Sequence, residues 1–121
     1  MTAAEWRENI ISSCEAAGTY RPFFDTVIDT LAGILERRDE ALRQFEVSGG
    51  HVIVAHTNKG GATNLEQNPA LRAINDMNRD ALAYWRDLGL TPAGLKKIDE
   101  RALKEQKKTG LADILKGLGD G

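Results

Sequence analysis

The sequence predicts a mainly α fold: long amphipathic helices with a short extended or β-hairpin insert around residues 51–66. Three observations predict it. Apolar residues recur at spacings of three and four along most of the chain. Capping residues stand where those patterns begin and end. Between the two longest patterns lies a single β-branched run, His51 to Thr57.

The elements follow in order. Thr2-Ala3-Ala4-Glu5 has the form of a capping box, and Trp6, Ile10, Cys14 and Ala17 follow it at helical spacing up to Gly18. After Thr19-Tyr20-Arg21-Pro22 the next helix runs to about Val47, with Phe24, Val27, Leu31, Leu35, Leu42 and Phe45 on or near one face. Its length is roughly 39 Å at the standard rise. Ser48-Gly49-Gly50 ends it. His51 to Thr57 reads as extended, Asn58-Lys59-Gly60-Gly61 as a turn, and residues 62–67 as a returning strand. Two strands alone are marginal in water, so such a hairpin is expected to lie on something.

Asn68-Pro69 supplies an N-cap and a first-turn proline for a helix of about twenty residues, whose buried stripe reads Leu71, Ile74, Ala81, Trp85, Leu88. Gly89 follows where a helix needs a left-handed residue, and Thr91-Pro92 starts the next helix at once. That last helix is expected to reach about Lys107, with Thr109-Gly110 breaking it before a closing segment, residues 111–121. The division is therefore a helical domain, 1–108, and a C-terminal docking segment, 109–121. No internal repeat or low-complexity stretch is visible.

At 121 residues the chain is long enough for one domain and too short for two separate cores. Aromatic content is only 6%, so the core rests on Leu, Ile, Val and Ala, and a core of that size often gains stability from association. Cys14 is the sole cysteine, which excludes an intramolecular disulfide and suits a reducing compartment. Neither a signal-peptide pattern nor an apolar run of membrane-spanning length is present, so a cytoplasmic location is expected. The formal net charge is −2, unevenly spread: residues 1–50 carry five Lys/Arg against nine Asp/Glu, and residues 94–121 carry seven against five. A nucleic-acid partner is served only by a local face.

Catalytic chemistry finds no support. A phosphate-cradling loop needs its lysine after the glycines, and Lys59 precedes Gly60-Gly61. His51 and His56 differ by five and point to opposite faces of a strand, with nothing to complete a zinc set. Nothing identifies a base for Cys14. Neither an enzyme activity, a cofactor nor a metal is expected.

Two basic stripes carry more. Lys97, Arg101, Lys104 and Lys108 share one helix face within about 60° of arc. Four cations on about 16 Å of helix can follow a phosphate backbone without reading sequence; the plainer reading is a solubilised surface helix with Asp99, Glu100 and Glu105 beside it. Arg72, Arg79 and Arg86 recur every seven residues, and either line a groove or pair with Asp76, Asp80 and Asp87 on an outer face. Finally, Leu111, Ile114, Leu115 and Leu118 form an apolar stripe that either folds back on the chain or docks on a partner.

In this order the elements resemble a phage terminase small subunit. The resemblance rests on Asn68-Pro69-Ala70-Leu71 opening a helix, on Leu88-Gly89-Leu90-Thr91-Pro92 closing it and starting another, and on the long helix from Tyr20 to Leu42 upstream. It covers roughly residues 20 to 100. Members commonly carry a basic residue soon after the Thr-Pro; here Ala93-Gly94-Leu95 precedes Lys96 and Lys97, so the contact is either displaced by one position or lost. The resemblance implies a non-catalytic packaging adaptor of the bacterial host cytoplasm. Such subunits form homo-oligomeric rings, bind double-stranded viral DNA and deliver it to the large terminase subunit, which holds the ATPase and nuclease. On that reading the basic residues above contact DNA, the C-terminal stripe binds a partner, and the turn at Gly89 orients the basic helix alike in every subunit. A small helical protein-interaction adaptor without a nucleic-acid role is the alternative. A helix-turn-helix regulator across residues 70–106 is a further one, although its second helix is poor in base-reading Asn, Gln, Ser and Thr.

Overall fold

A computed structural model describes residues 1–119 of the chain. Helix α1 spans Ala3–Ala17, a short 3-10 turn covers Pro22–Phe24, and α2 runs Asp25–Val47; strands β1, Ile53–Thr57, and β2, Thr63–Gln67, follow, then α3, Pro69–Asp87, and α4, Pro92–Gly119. The mainly α class with one hairpin insert is the architecture observed.

Local chemistry accounts for the boundaries. The capping box at Thr2 is formed in both directions: Glu5 N donates to Thr2 Oγ1 and Thr2 N donates to Glu5 Oε1, each at 3.1 Å. Gly18 ends α1 at φ 73°, where a side chain would be strained. Asn68 caps α3 by accepting from Ala70 N at 3.0 Å, while its Nδ2 donates to His51 O at 2.9 Å and its backbone N to Val52 O at 2.7 Å. One residue therefore starts the helix and ties the base of the hairpin to it.

Helices α1, α2 and α3 run antiparallel in sequence, with α2 between the other two. Near the start of α1, Trp6 Nε1 donates to Asp39 Oδ2 at 2.7 Å; further along, Arg7 Nε donates to Asp29 Oδ1 at 2.7 Å. On the α3 side, Arg38 Nη1 donates to Asn78 Oδ1 at 3.2 Å. The core between them holds Ile10, Cys14, Ile28, Leu31, Ala32, Leu35, Ala81 and Leu88. Burial raises the Cys14 thiol's pKa by more than a hydrogen bond with Thr19 lowers it.

Two expectations about α2 change. Leu31 and Leu35 of the expected face are buried, but Ile28 and Ala32 join them there, and Phe24, Val27 and Phe45 are only partly buried. Leu42 is 39% exposed, and Val47 is exposed too. The reason is length. Helix α1 has 15 residues against the 23 of α2, and its N-terminus lies at Asp39, so the last two turns of α2 extend past it.

The hairpin also departs from expectation. Its strands pair in full antiparallel register from Ile53↔Gln67 to Thr57↔Thr63. Asn58 Oδ1 fixes the turn by accepting from Gly60 N and Ala62 N. Yet it does not rest on the helices: every residue of the two strands except Val54 is exposed, Leu65 at 78%. The tie at Asn68 and the bonded turn hold its shape in place of a packed face.

The third correction concerns α4. The expected break at Thr109-Gly110 is absent, and the helix is continuous from Pro92 to Gly119. Thr109 Oγ1 donates back to Glu105 O at 3.0 Å, so its hydroxyl is satisfied within the helix. A single helical glycine costs only about 1 kcal/mol, which strong neighbours such as Leu, Lys and Ala offset. The helix therefore passes through residue 108 without interruption. Every side chain from Asp99 to Leu118 is exposed, so this part of α4 stands clear of the helical body; residues 120–121 of the expected docking segment lie outside the described residues.

Two predictions come from these contacts. Burial raises the pKa of Asp39, but the hydrogen bonds from Trp6 and Arg38 outweigh it and hold the carboxyl below its ordinary value. A group with a lowered folded-state pKa stabilises above its unfolded pKa, and that stability is lost as pH falls through the folded value. Asp39→Asn is thus expected to cost about 1–2 kcal/mol at neutral pH, with wild type and variant converging in acid, as read by urea unfolding at stepped pH. Gly110→Ala, whose added Cβ meets nothing within 4 Å, is expected to raise helix content and stabilise α4 by up to about 1 kcal/mol. Lower helix content by circular dichroism would argue for a break there.

Candidate nucleic-acid interface

The site is set by how α4 leaves α3. Helix α3 ends at Asp87, Gly89 takes φ 75°, and Thr91 caps α4 by accepting from Gly94 N at 3.1 Å. Gly89 is buried. A Cβ there would stand 2.8 Å from Thr19 Cγ2 and 2.7 Å from Ile98 Cδ1, so the turn is pressed between the α1–α2 linker and the first turns of α4. Gly94 is tighter still. A Cβ on it would come within 2.1 Å of the Arg86 carbonyl oxygen, a backbone atom that cannot swing aside. The first turn of α4 therefore rests on the backbone of the last turn of α3.

This approach creates a cleft of about 370 Å³ lined by Arg86, Asp87, Ala93, Gly94, Lys97, Ile98 and Arg101. The α4 contributors recur every three to four residues, so they form the face that meets α3. Arg86 comes from one expected basic stripe, Lys97 and Arg101 from the other. The structure joins the two stripes at this point, which their spacings alone did not require.

The remaining candidates separate. Arg79 lies 3.5 Å from Asp76 and 3.7 Å from Asp80, so at this position the pairing on an outer face is the arrangement found. Arg72 is exposed at the opposite end of α3, about 21 Å from Arg86 along the axis. Lys104 and Lys108 continue the α4 stripe along the exposed part of the helix. The acids suspected of neutralising that stripe form no ion pair with it: Glu100 lies 4.0 Å from Lys96, which is off the stripe. Among the described residues, none of Arg86, Lys97, Arg101, Lys104 or Lys108 has a carboxylate within 4.0 Å. Leu111, Ile114, Leu115 and Leu118 stand exposed beyond them, Leu118 at 75%; folding back onto the chain is not the arrangement observed.

Sequence reasoning missed Asp87, Ala93, Gly94 and Ile98 as parts of this site. The signal was available in one respect, because Gly94, Lys97 and Arg101 share a helix face. The close approach of Gly94 to Arg86 is a tertiary contact that no spacing encodes.

The sequence model of the family described as phage terminase, small subunit, matches residues 3–105, from the capped start of α1 into the basic stripe of α4. The chain belongs to the phage terminase small-subunit family. Searches of curated proteins and of solved structures return no match. The matched span covers α1 to α3, the hairpin, the cleft, and Lys104; Lys108 and the apolar stripe lie beyond it. Membership makes phage packaging the setting of this terminase subunit. Among its described residues, no helix is long and apolar enough to cross a membrane, and no cluster of three or more His, Cys, Asp or Glu is arranged to hold a metal ion.

Gly94→Ala is expected to destabilise the protein by at least about 2 kcal/mol, or to tilt α4 away from α3, because the clash is with backbone. Gly89→Val is expected to be worse, adding positive-φ strain to two steric contacts. Thermal unfolding with Gly110→Ala as the comparison checks both; unchanged midpoints would mean that α4 is not held in this way.

Proposed function

We infer that this terminase subunit is a non-catalytic DNA-recognition and packaging adaptor. It self-associates, binds viral double-stranded DNA and delivers it to the large terminase subunit in the bacterial host cytoplasm. The observation that carries the reading is the convergence of unpaired cations at the α3–α4 junction, continued outward by Lys104 and Lys108. Cations without carboxylate partners break no ion pair when a phosphate arrives, and the counterions they displace from the DNA drive binding without base contacts.

Two further features support the assembly. The hairpin leaves both strand edges open, and β1 carries no Lys, Arg, Asp, Glu or Pro, the residues that usually guard an edge. Self-association through such a surface makes several weak DNA contacts act together, which reconciles a formal charge of −2 with polyanion binding. The exposed stripe Leu111, Ile114, Leu115 and Leu118 suits helix-in-groove docking, and the large subunit is the partner this role supplies. The same stripe favours the second reading, a protein-interaction adaptor without a nucleic-acid role.

Salt separates the two. Native mass spectrometry at physiological salt is expected to give one discrete oligomer, and its affinity for duplex DNA to fall steeply as salt rises. In the double variant Lys97→Ala with Arg101→Ala, the log–log slope per binding subunit is expected to shrink by about 1.8. A monomer with salt-insensitive or absent DNA binding would favour the second reading.

A further inference from the structure

We propose that the cleft between the end of α3 and the first turns of α4 is a phosphate-binding site, in which Arg86, Lys97 and Arg101 close on a single phosphate group of DNA. For the source of its ligand the inference rests on the DNA-binding reading; for its chemistry it rests on the cleft alone.

Charge comes first. Three cations and one carboxylate, Asp87, line the cleft, a formal balance of +2. Elsewhere the chain pairs many of its cations: Arg7, Arg38, Arg43, Arg79 and Lys96 each have a carboxylate within 4.0 Å. Here Asp87 lines the same cleft and still pairs with none of the three, among the described residues. An unneutralised group of three cations on two converging elements is a different object from a row of lysines along one helix.

Geometry comes second. Two guanidinium groups approach from separate helices, and each offers the planar fork of donors that matches the oxygens of a phosphate. Lys97 adds a compact charge. Ala93, Gly94 and Ile98 complete the lining with apolar surface between the cations. The volume, about 370 Å³, exceeds what a bare phosphate fills and leaves space for an attached sugar.

Construction comes third. Glycine inside a helix costs about 1 kcal/mol relative to alanine, and at Gly94 any side chain would push α4 off the Arg86 carbonyl. That cost is accepted where it draws Lys97 and Arg101 toward Arg86. Lys104 and Lys108, on the free part of α4, have no facing helix and remain a simple charged stripe.

The chemistry is shared by two sources, an internal phosphodiester with one negative charge and a terminal phosphomonoester with up to two. The test uses the full chain, wild type and Arg86→Gln, with Arg101→Gln as a second cleft variant and Lys108→Gln as a control of equal charge outside the cleft. First, thermal midpoints are compared in inorganic phosphate and in chloride at matched ionic strength. Wild type and Lys108→Gln are expected to rise in phosphate, and both cleft variants not to. Second, binding to duplex DNA is titrated. All three substitutions are expected to lower the salt slope by about 1, but the cleft variants to lose about tenfold more affinity than Lys108→Gln. Third, a duplex with 5′-phosphate ends is set against one with 5′-hydroxyl ends and a closed circle. Preference for the phosphorylated ends assigns the site to a terminus, and equal competition by the circle assigns it to the backbone.

Equal behaviour of the cleft variants and Lys108→Gln in both phosphate and DNA would overturn the proposal, leaving the adaptor reading standing on the stripe alone. A phosphate response confined to the cleft, without any DNA binding, would uphold the site and sink the adaptor reading instead.

Discussion

The arrangement of this protein depends on two places where backbone is allowed to touch what a side chain would exclude. At Gly89 the α3–α4 turn sits against Thr19 and Ile98, and at Gly94 the first turn of α4 rests on the Arg86 carbonyl. Neither contact contributes much apolar burial. Their effect is directional: they fix the angle at which a long charged helix leaves a small helical body. Most of what this chain presents to other molecules follows from that angle, because α4 has almost no other attachment to the body.

The body itself is economical. Three antiparallel helices share a core of eight buried residues, of which α2 supplies four. Around it, polar groups do an unusual share of the positioning. Asp39 links Trp6 and Arg38, the latter also stacked 5.5 Å above the Trp6 ring, while Asn68 joins the hairpin to α3. Such bonds are individually modest, but they are directional where a core of Leu and Ile is not. The hairpin and α4 leave from opposite ends of the α2–α3 pair, so the two outward-facing elements do not compete for the same surface.

Much of this was legible in the sequence because capping is local. Thr2, Gly18, Asn68, Gly89 and Thr91 act on neighbours within about four residues, and every one was read in its structural role. The stripe of α3 was legible for the same reason, since Ile74, Ala81 and Leu88 are buried as their spacing requires. What failed was either relative or permissive. The exposure of Leu42 depends on the length of a different helix, and the orientation of the α2 face depends on which neighbour covers it. Thr109-Gly110 can end a helix and need not, and nothing within reach of it favours a stop. For the candidate site, each cation was identified from spacing, but the meeting of Arg86 with Lys97 and Arg101 is a property of the turn's three-dimensional path. The resemblance to small terminase subunits drew on the order of the capped elements, and the family match over residues 3–105 agrees with it.

The free part of α4 has a mechanical consequence. From Asp99 to Leu118 it extends about 30 Å beyond its last half-buried residue, with exposed side chains throughout. A rigid rod pivoted at one end is a lever arm, and tilting one of that length by about 10° sweeps its tip through about 5 Å. The fulcrum is Gly94, a few residues from the cations of the cleft, and the tip is the apolar stripe that ends at Leu118. Any ligand that tightens or loosens the cleft is thereby geared to the far end of the helix, with its displacement multiplied on the way.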